Sequence, residues 1–356
     1  GGGGGGRVAG PASIDTMRRL LSWDQYGSSE APLRIFVYEL PAALVMPLEI
    51  DRPASGSVHE HNSIYTAYRR ALWQLLRDCR VRTMDPEEAN IFYVPAMVFA
   101  WSGNGPYPHK HMRRVSGYLR RAYPYWNRTG GRDHVWWVAN DYAHCSAPRE
   151  VRHSILVGHY GPIQKIKKMF PTRPKHEGEH SRFCYQPEKD IVSPPNIADS
   201  AGIAAARRAY LAEPPSGLVK KRYLFFFAGG LRMHQRHFYS MGVRQELHDN
   251  FKGMEAEGVI VAERVTDYGS KTLDSLFCLA PTGSGWGIRL VELMSSGCIP
   301  VIIQPHTVQP YQDVLPYANF SLVLEFGQIP RLVGRDCDLS FLFFSFLFIP
   351  SCSSSD

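Results

Sequence analysis

The stretch "SLFCLAPTGSGWGIRLVELMSSGCIPVIIQP", residues 275–305, holds two apolar runs separated by a glycine-rich turn and one amphipathic segment. The run 275–281, closed by Pro281, predicts a strand buried on both faces, and 298–305 predicts a second one. Between them, residues 286–296 carry helical spacing, with Gly297 in place to take the left-handed position after the last turn. Strand, turn, helix and strand of these lengths make one βαβ unit of a parallel sheet. The turn "TGSGWG" places Gly283, Ser284 and Gly285 where backbone N–H groups lie bare, with Ser284 able to cap the helix. A helix N-terminus entered through such a turn suits an anion. Arg289 and Glu292, three residues apart, share one helical face, the Arg able to contact a diphosphate and the Glu to accept from ribose hydroxyls. The same two residues also fit an ordinary surface pair, and the local pattern leaves both readings open.

Two other stretches follow the same plan. In "FFFAGGLRMHQR", 225–236, a buried strand runs into Gly229 and Gly230, followed by Arg232 and Arg236. If both strands are parallel members of one sheet, this basic turn lies at the same edge as the first. In "GRDHVWWVANDYAHC", 131–145, Asp141 follows a buried strand. Burial at a cleft would raise its pKa toward general-base duty, while a carboxylate that only caps a turn explains it equally well. Asp133 and His134, at the start of that strand, read as a structural pair.

Strands are predicted at 34–40, 90–99 and 133–140, and helices at 63–79 and 112–126. A second alternating run predicts strands at 222–230, 258–265, 276–281 and 298–305. Alternation of this kind predicts an α/β fold with parallel sheets. The Pro-rich stretch 171–220 reads as the region between two such halves, 32–200 and 201–332. The ends differ: 1–31 opens on a glycine run and reads as a stem remnant, and 333–356 is a Phe-rich run with a Ser tail that reads as an aberrant terminus.

Composition narrows the function classes. The 356 residues carry a formal net charge of +7, but the basic residues are scattered along the chain, which argues against a nucleic-acid footprint. No stretch of some 20 apolar residues predicts a membrane-spanning helix. None of the seven cysteines stands in a CxxC pair, so no zinc site is expected; Cys145–Cys184 is the first candidate bridge, and Cys278 and Cys298 read as buried free thiols. The "HEH" at 59–61 and "HKH" at 109–111 lack further ligands at useful spacing and read as solvated histidines. The "DCD" at 336–338 is a chance likeness to a metal–nucleotide motif. Asn127-Arg-Thr129 and Asn319-Phe-Ser321 are glycosylation sequons.

The phrases "RIFVYELP", "RTMDPEEANIFYVP", "GRDHVWWVANDYAHC", "YLFFFAGG" with "VRQEL", and above all "SLFCLAPTGSGWGIRLVELMSSGCIPVII" resemble the exostosin family of glycosyltransferases from about residue 32 to 330. The resemblance implies a GT-B fold, two Rossmann-like domains facing a cleft, the nucleotide sugar held by the C-terminal one. It implies inverting transfer from a nucleoside diphosphate sugar, a UDP-sugar first, to a polysaccharide or glycan acceptor, with no obligatory metal or other cofactor and no nucleic-acid partner. It places Gly229, Gly283, Gly285, Arg289 and Glu292 in the donor site, joined by Arg232, Arg236 and Ser284 from the residue reading; Asp141 falls on the family's recurrent Asp after "GRDH", and the residue reading makes it the expected base. It further implies the lumenal domain of a type II Golgi membrane protein whose anchor is not in this sequence, and association with other glycosyltransferases. The Phe-rich tail stands where the closing helices are expected, so the C-terminal part reads as truncated. A non-catalytic glycan-binding or scaffolding subunit of a polysaccharide synthase complex is the alternative expectation.

Overall fold

The computed structural model describes residues 33–45, 64–102, 108–141, 143–163, 184–196, 221–236, 239–283 and 288–332. The calls on the glycine-rich start, the Phe-rich tail, "HEH", "DCD", Ser284 and Gly285 lie outside them.

Two parallel sheets form the molecule. The first contains β1 (Ile35–Val37), β2 (Arg82–Thr83), β3 (Ile91–Val94), β4 (His134–Trp137), β5 (Ile155–Gly158) and β7 (Ile191–Val192), in the order β2-β1-β3-β4-β5-β7. The second contains β8 (Tyr223–Ala228), β9 (Val259–Ala262), β10 (Ser275–Pro281), β11 (Ile299–Ile303) and β13 (Leu322–Val323), in the order β13-β11-β10-β8-β9. Counted from its own first strand, the first sheet runs second-first-third-fourth-fifth-sixth and the second runs second-first-third-fourth-fifth, the doubly wound order in which the chain reverses direction between the first and third strands. The remaining pair, β6 (Gly161–Pro162) and β12 (Thr307–Val308), is antiparallel and joins the two halves. Ile163 N–H to the His306 carbonyl at 2.9 Å and Tyr311 N–H to the Val192 carbonyl at 2.9 Å extend that junction.

The apolar runs become strands because both faces are covered. The period of two sends Phe225, Phe227, Leu279, Val301 and Ile303 to one face, against Val243, Leu247 and Phe251 of the helix Val243–Phe251. Phe226, Cys278, Ala280 and Ile302 go to the other face, against Leu290 and Leu293 of the helix Arg289–Ser295. In the first sheet Phe92, Val94, Trp136 and Leu156 pack on Met112, Val115 and Leu119 of the helix Pro108–Ala122. Burying each such side chain contributes about 1.5–3 kcal/mol, so these layers hold the strands in place.

Several sequence readings are corrected. The predicted helix 286–296 is helical over Arg289–Ser295, with Gly297 left-handed at φ 69° behind it as expected. The predicted strand 90–99 ends at Val94, and Val98–Ser102 is helical. Within the stretch read as interdomain, Ile191–Val192 joins the first sheet. Cys278 and Cys298 are not free thiols but a disulfide: the register pairs Cys278 of β10 with Pro300, and Cys298, just ahead of β11, lies close enough to bridge to it; Cys145 pairs with Cys184. His109 and His111 are buried, and burial pushes His111 down to about 4 while its Nε2 lies 2.6 Å from the Ala96 carbonyl. Asp133 and His134 form the expected pair at 2.7 Å, and the other ring nitrogen of His134 meets the Tyr38 hydroxyl at 2.7 Å.

Candidate functional site

The site lies where the second sheet reverses, between the ends of β8 and β10, the place where open α/β sheets receive ligands. At the end of β8, Arg289 donates from Nη2 to the Ala228 carbonyl at 2.7 Å and from Nη1 to the Tyr268 hydroxyl at 3.1 Å. Its guanidinium lies 4.7 Å over the ring of Phe227, which is fully buried. Arg244, in the first turn of Val243–Phe251, reaches the same spot. It donates from Nε to the Thr282 carbonyl at 2.9 Å, and from Nη1 to the Gly230 carbonyl at 3.0 Å and the Tyr239 hydroxyl at 2.8 Å. Arg232, exposed and left-handed at φ 46°, lies 4.7 Å over the Tyr239 ring.

Among the described residues no carboxylate oxygen lies within ion-pair distance of Arg232, Arg244 or Arg289. Burial pushes Arg244 down to about 10, and the charges of Arg289 and Arg232 push the same way, partly opposed by Tyr239. Like charges gathered in a partly desolvated spot repel by on the order of a few kcal/mol. Among the described residues the protein holds them with carbonyls and aromatic faces rather than with carboxylates.

The sequence-predicted residues divide clearly. Gly229 lies against the arginine: a Cβ there would stand 2.6 Å from Nη2 of Arg289 and 3.3 Å from Phe227. Gly283 lends its carbonyl to the Ser240 N–H at 3.1 Å, which stitches the glycine turn to the segment 239–242. Glu292 is half-buried, and burial raises its carboxyl while the charge of Arg289 opposes the shift. Arg236 does not join the cluster: its guanidinium binds Asp249 and stands 3.8 Å from Glu246, so its charge is spent on its own helix neighbours. The helix behind the turn has seven residues, so the guanidiniums rather than its dipole dominate the positive potential.

Sequence reasoning missed Arg244, Tyr239 and Tyr268. The signal for Arg244 was its place in "VRQEL", one helical entry away from the glycine turn, but its partners are carbonyls brought there by the fold.

Asp141 follows β4, and two described tyrosines hold it. The Tyr65 hydroxyl donates to its Oδ1 at 2.8 Å, and the Tyr160 hydroxyl donates to its backbone carbonyl. Tyr65 stacks on Phe99 at 4.3 Å, and burial followed by the Asp141 charge pushes its hydroxyl above the usual phenol range. Ala143 and Tyr160 form a small buried cluster, against which Ile64 and Tyr65 pack from the first half and Met241 and Ile288 from the second. Ile288 immediately precedes Arg289, so the structure brings the Asp141 loop against the turn that carries the arginine.

Backbone strain marks the same region. The described non-glycine residues with positive φ are Met97, Ala143, Arg232, Ser240, Met241, His306 and Tyr311. Each lies in a segment that leaves the C-terminal end of a sheet strand. Left-handed conformations at such residues cost of order 1–3 kcal/mol each and persist where a site requires them.

The contact at Gly229 yields a test. Gly229→Ala is expected to fold, because the atom it meets is the end of a long side chain, but to push the Arg289 guanidinium off the Ala228 carbonyl. Turnover should fall roughly 10–100-fold at a nearly unchanged melting temperature, since ångström-scale misplacement has effects of that size. Steady-state kinetics beside a thermal melt measures both.

Residues 29–335 match the Exostosin GT47 domain. The chain is 31% identical over 309 residues to a "Probable glucuronosyltransferase" of Oryza sativa subsp. japonica, covering 84% of this chain and 68% of that protein. It is 31% identical over 322 residues to "Probable glucuronosyltransferase 47 A" of Physcomitrium patens, covering 86% and 66%. It is 30% identical over 309 residues to "Probable beta-1,4-xylosyltransferase IRX10L" of Arabidopsis thaliana, covering 84% and 69%. The chain thus spans about two thirds of the length of these relatives. With the family's match running through both sheets and across the arginine cluster, the chain belongs to the exostosin GT47 family of glycosyltransferases.

Proposed function

We propose that this protein is an inverting, GT-B-type glycosyltransferase that moves a sugar from a UDP-sugar to a polysaccharide or glycan acceptor. The observation that carries the reading is the group of Arg232, Arg244 and Arg289 at the reversal of the second sheet, held without carboxylate partners. A nucleoside diphosphate supplies the missing negative charge. The donor half is taken as residues 201–332 and the acceptor half as 32–200.

The Asp141 carboxylate takes the proton of the acceptor hydroxyl. That oxygen forms a bond to the anomeric carbon from the face opposite the diphosphate, and the bond from that carbon to the diphosphate oxygen breaks. The electron pair leaves on the diphosphate, where Arg289 and Arg244 stabilise the growing charge. Guanidiniums in this position supply the positive charge that a divalent metal supplies elsewhere, which supports transfer without an obligatory metal. Glu292 is placed to accept from ribose hydroxyls. Two disulfides and the exposed sequon residues Asn127 and Asn319 support a secretory-lumen setting, consistent with a Golgi enzyme.

The names of the relatives make UDP-glucuronic acid and UDP-xylose the first donors to try. Calorimetry with UDP is expected to show saturable binding that weakens with salt, and a donor panel is expected to show consumption of one UDP-sugar above the rest. A folded sample that binds no UDP would sink the reading.

A further inference from the structure

Asp141 is the expected base, yet much of what holds it comes from elsewhere in the chain. Tyr65, 76 residues away, grips Oδ1 at 2.8 Å and is itself fixed by stacking on Phe99 at 4.3 Å and 13°. Tyr160 binds the Asp141 carbonyl, and the Tyr160 carbonyl in turn lies 3.1 Å from Nδ1 of the buried His144. Both tyrosines belong to the cluster that Met241 and Ile288 close from the second half.

Met241 sits in three consecutive left-handed residues, Ser240 at φ 60°, Met241 at φ 50° and Gly242 at φ 83°. That turn is pinned to the donor side. Ser240 Oγ donates to the Thr282 carbonyl at 2.8 Å, and the Ser240 N–H donates to the Gly283 carbonyl at 3.1 Å. The Arg244 N–H donates to Ser240 Oγ at 3.2 Å, and Arg244 Nε shares the Thr282 carbonyl at 2.9 Å. One strained turn therefore touches the phosphate-side arginine at one end and the tyrosine clamp of the carboxylate at the other. Left-handed conformations at Ser240, which is fully buried, and Met241, which is partly buried, cost free energy.

We infer that Met241 and Tyr65 are positioning residues: Met241, carried on the Ser240–Gly242 turn, packs on the Ala143–Tyr160 cluster beside Asp141, and Tyr65 orients the Asp141 carboxylate toward the acceptor. The inference rests on the proposed transferase reading with Asp141 as base. It adds that the donor side of the molecule sets the geometry of the base. Neither residue touches the nucleotide, so their loss falls on the chemical step and not on donor affinity.

The test uses the chain with Tyr65→Phe, Met241→Ala, Met241→Leu and the Tyr65→Phe/Met241→Ala pair. Consumption of UDP-glucuronic acid and UDP-xylose gives kcat, and calorimetry with UDP gives affinity. Tyr65→Phe and Met241→Ala are each expected to lower kcat about 10-fold or more with UDP affinity within about twofold. Met241→Leu is expected to restore most of the loss, and the pair to lose less than the product of the single effects, because both act on one carboxylate. Wild-type kcat in both single variants overturns the inference while leaving the transferase reading intact. So does a parallel loss of UDP affinity and thermal stability without rescue by leucine, which marks a purely structural role. Should Met241→Ala fail to fold, Tyr65→Phe, which removes only a hydroxyl, decides alone. Full turnover in Asp141→Asn, or none by the unaltered chain on either donor, overturns the base or the transferase reading and this inference with it.

Discussion

Arg289→Ala is expected to lower turnover of a UDP-sugar about 100- to 1,000-fold while the protein stays folded. That is the usual loss when one preorganised donor is removed from a developing oxyanion. The side chain is not a core element: it is half-exposed and its bonds go to one carbonyl and one tyrosine hydroxyl. Its removal leaves Phe227 and Tyr268 packed in the sheet layers they already occupy. UDP affinity is expected to fall as well, and its salt dependence to flatten, because one of the charges answering the diphosphate is gone. Arg289→Lys separates charge from shape. A lysine keeps the charge but cannot span Ala228 and Tyr268 with one planar fork, so an intermediate loss is expected. Single-turnover kinetics beside UDP calorimetry measures the effect. Undiminished turnover in Arg289→Ala would remove the cluster from the mechanism.

The second large effect is expected at Asp141. Asp141→Asn is nearly isosteric, and its side-chain oxygen can still accept from Tyr65, so the clamp geometry survives. What is lost is the ability to take a proton, and general-base contributions of this kind are roughly 100- to 10,000-fold. The loss should appear in kcat, with UDP binding unchanged. Arg289→Ala and Asp141→Asn thus leave different signatures, the first in donor affinity and rate and the second in rate alone. An Asp141→Asn protein that transfers sugar at the normal rate would assign the base elsewhere.

The central strands were legible because their physics is local. β8 and β10 are covered on both faces, so nearly every residue is apolar and the run announces itself. β5, Ile155–Gly158, escaped because its four residues lie between polar neighbours, and β2, β7 and β13 are two-residue edge pairings made by register rather than by composition. The glycine turn before Arg289 was readable for the same local reason. Arg244 was not, since nothing in an ordinary amphipathic helix says that a guanidinium will meet the carbonyls of Gly230 and Thr282. Arg236 misled for the mirror reason: its sequence neighbours matched the pattern, but Asp249, thirteen residues on, claims it. The bond from Tyr65 to Asp141 and the bridge between Cys278 and Cys298 depend on how strands are ordered, which single-residue reasoning does not reach.

The β6–β12 stitch has a consequence for substitution. A Cβ at Gly161 would stand 2.9 Å from side-chain atoms of Tyr185 and Val192 and 3.0 Å from the Cβ of Val308, so the seam closes round a residue that has no side chain. A side chain added at Gly161 would press on both halves at once, so the seam they share would have to shift to admit it.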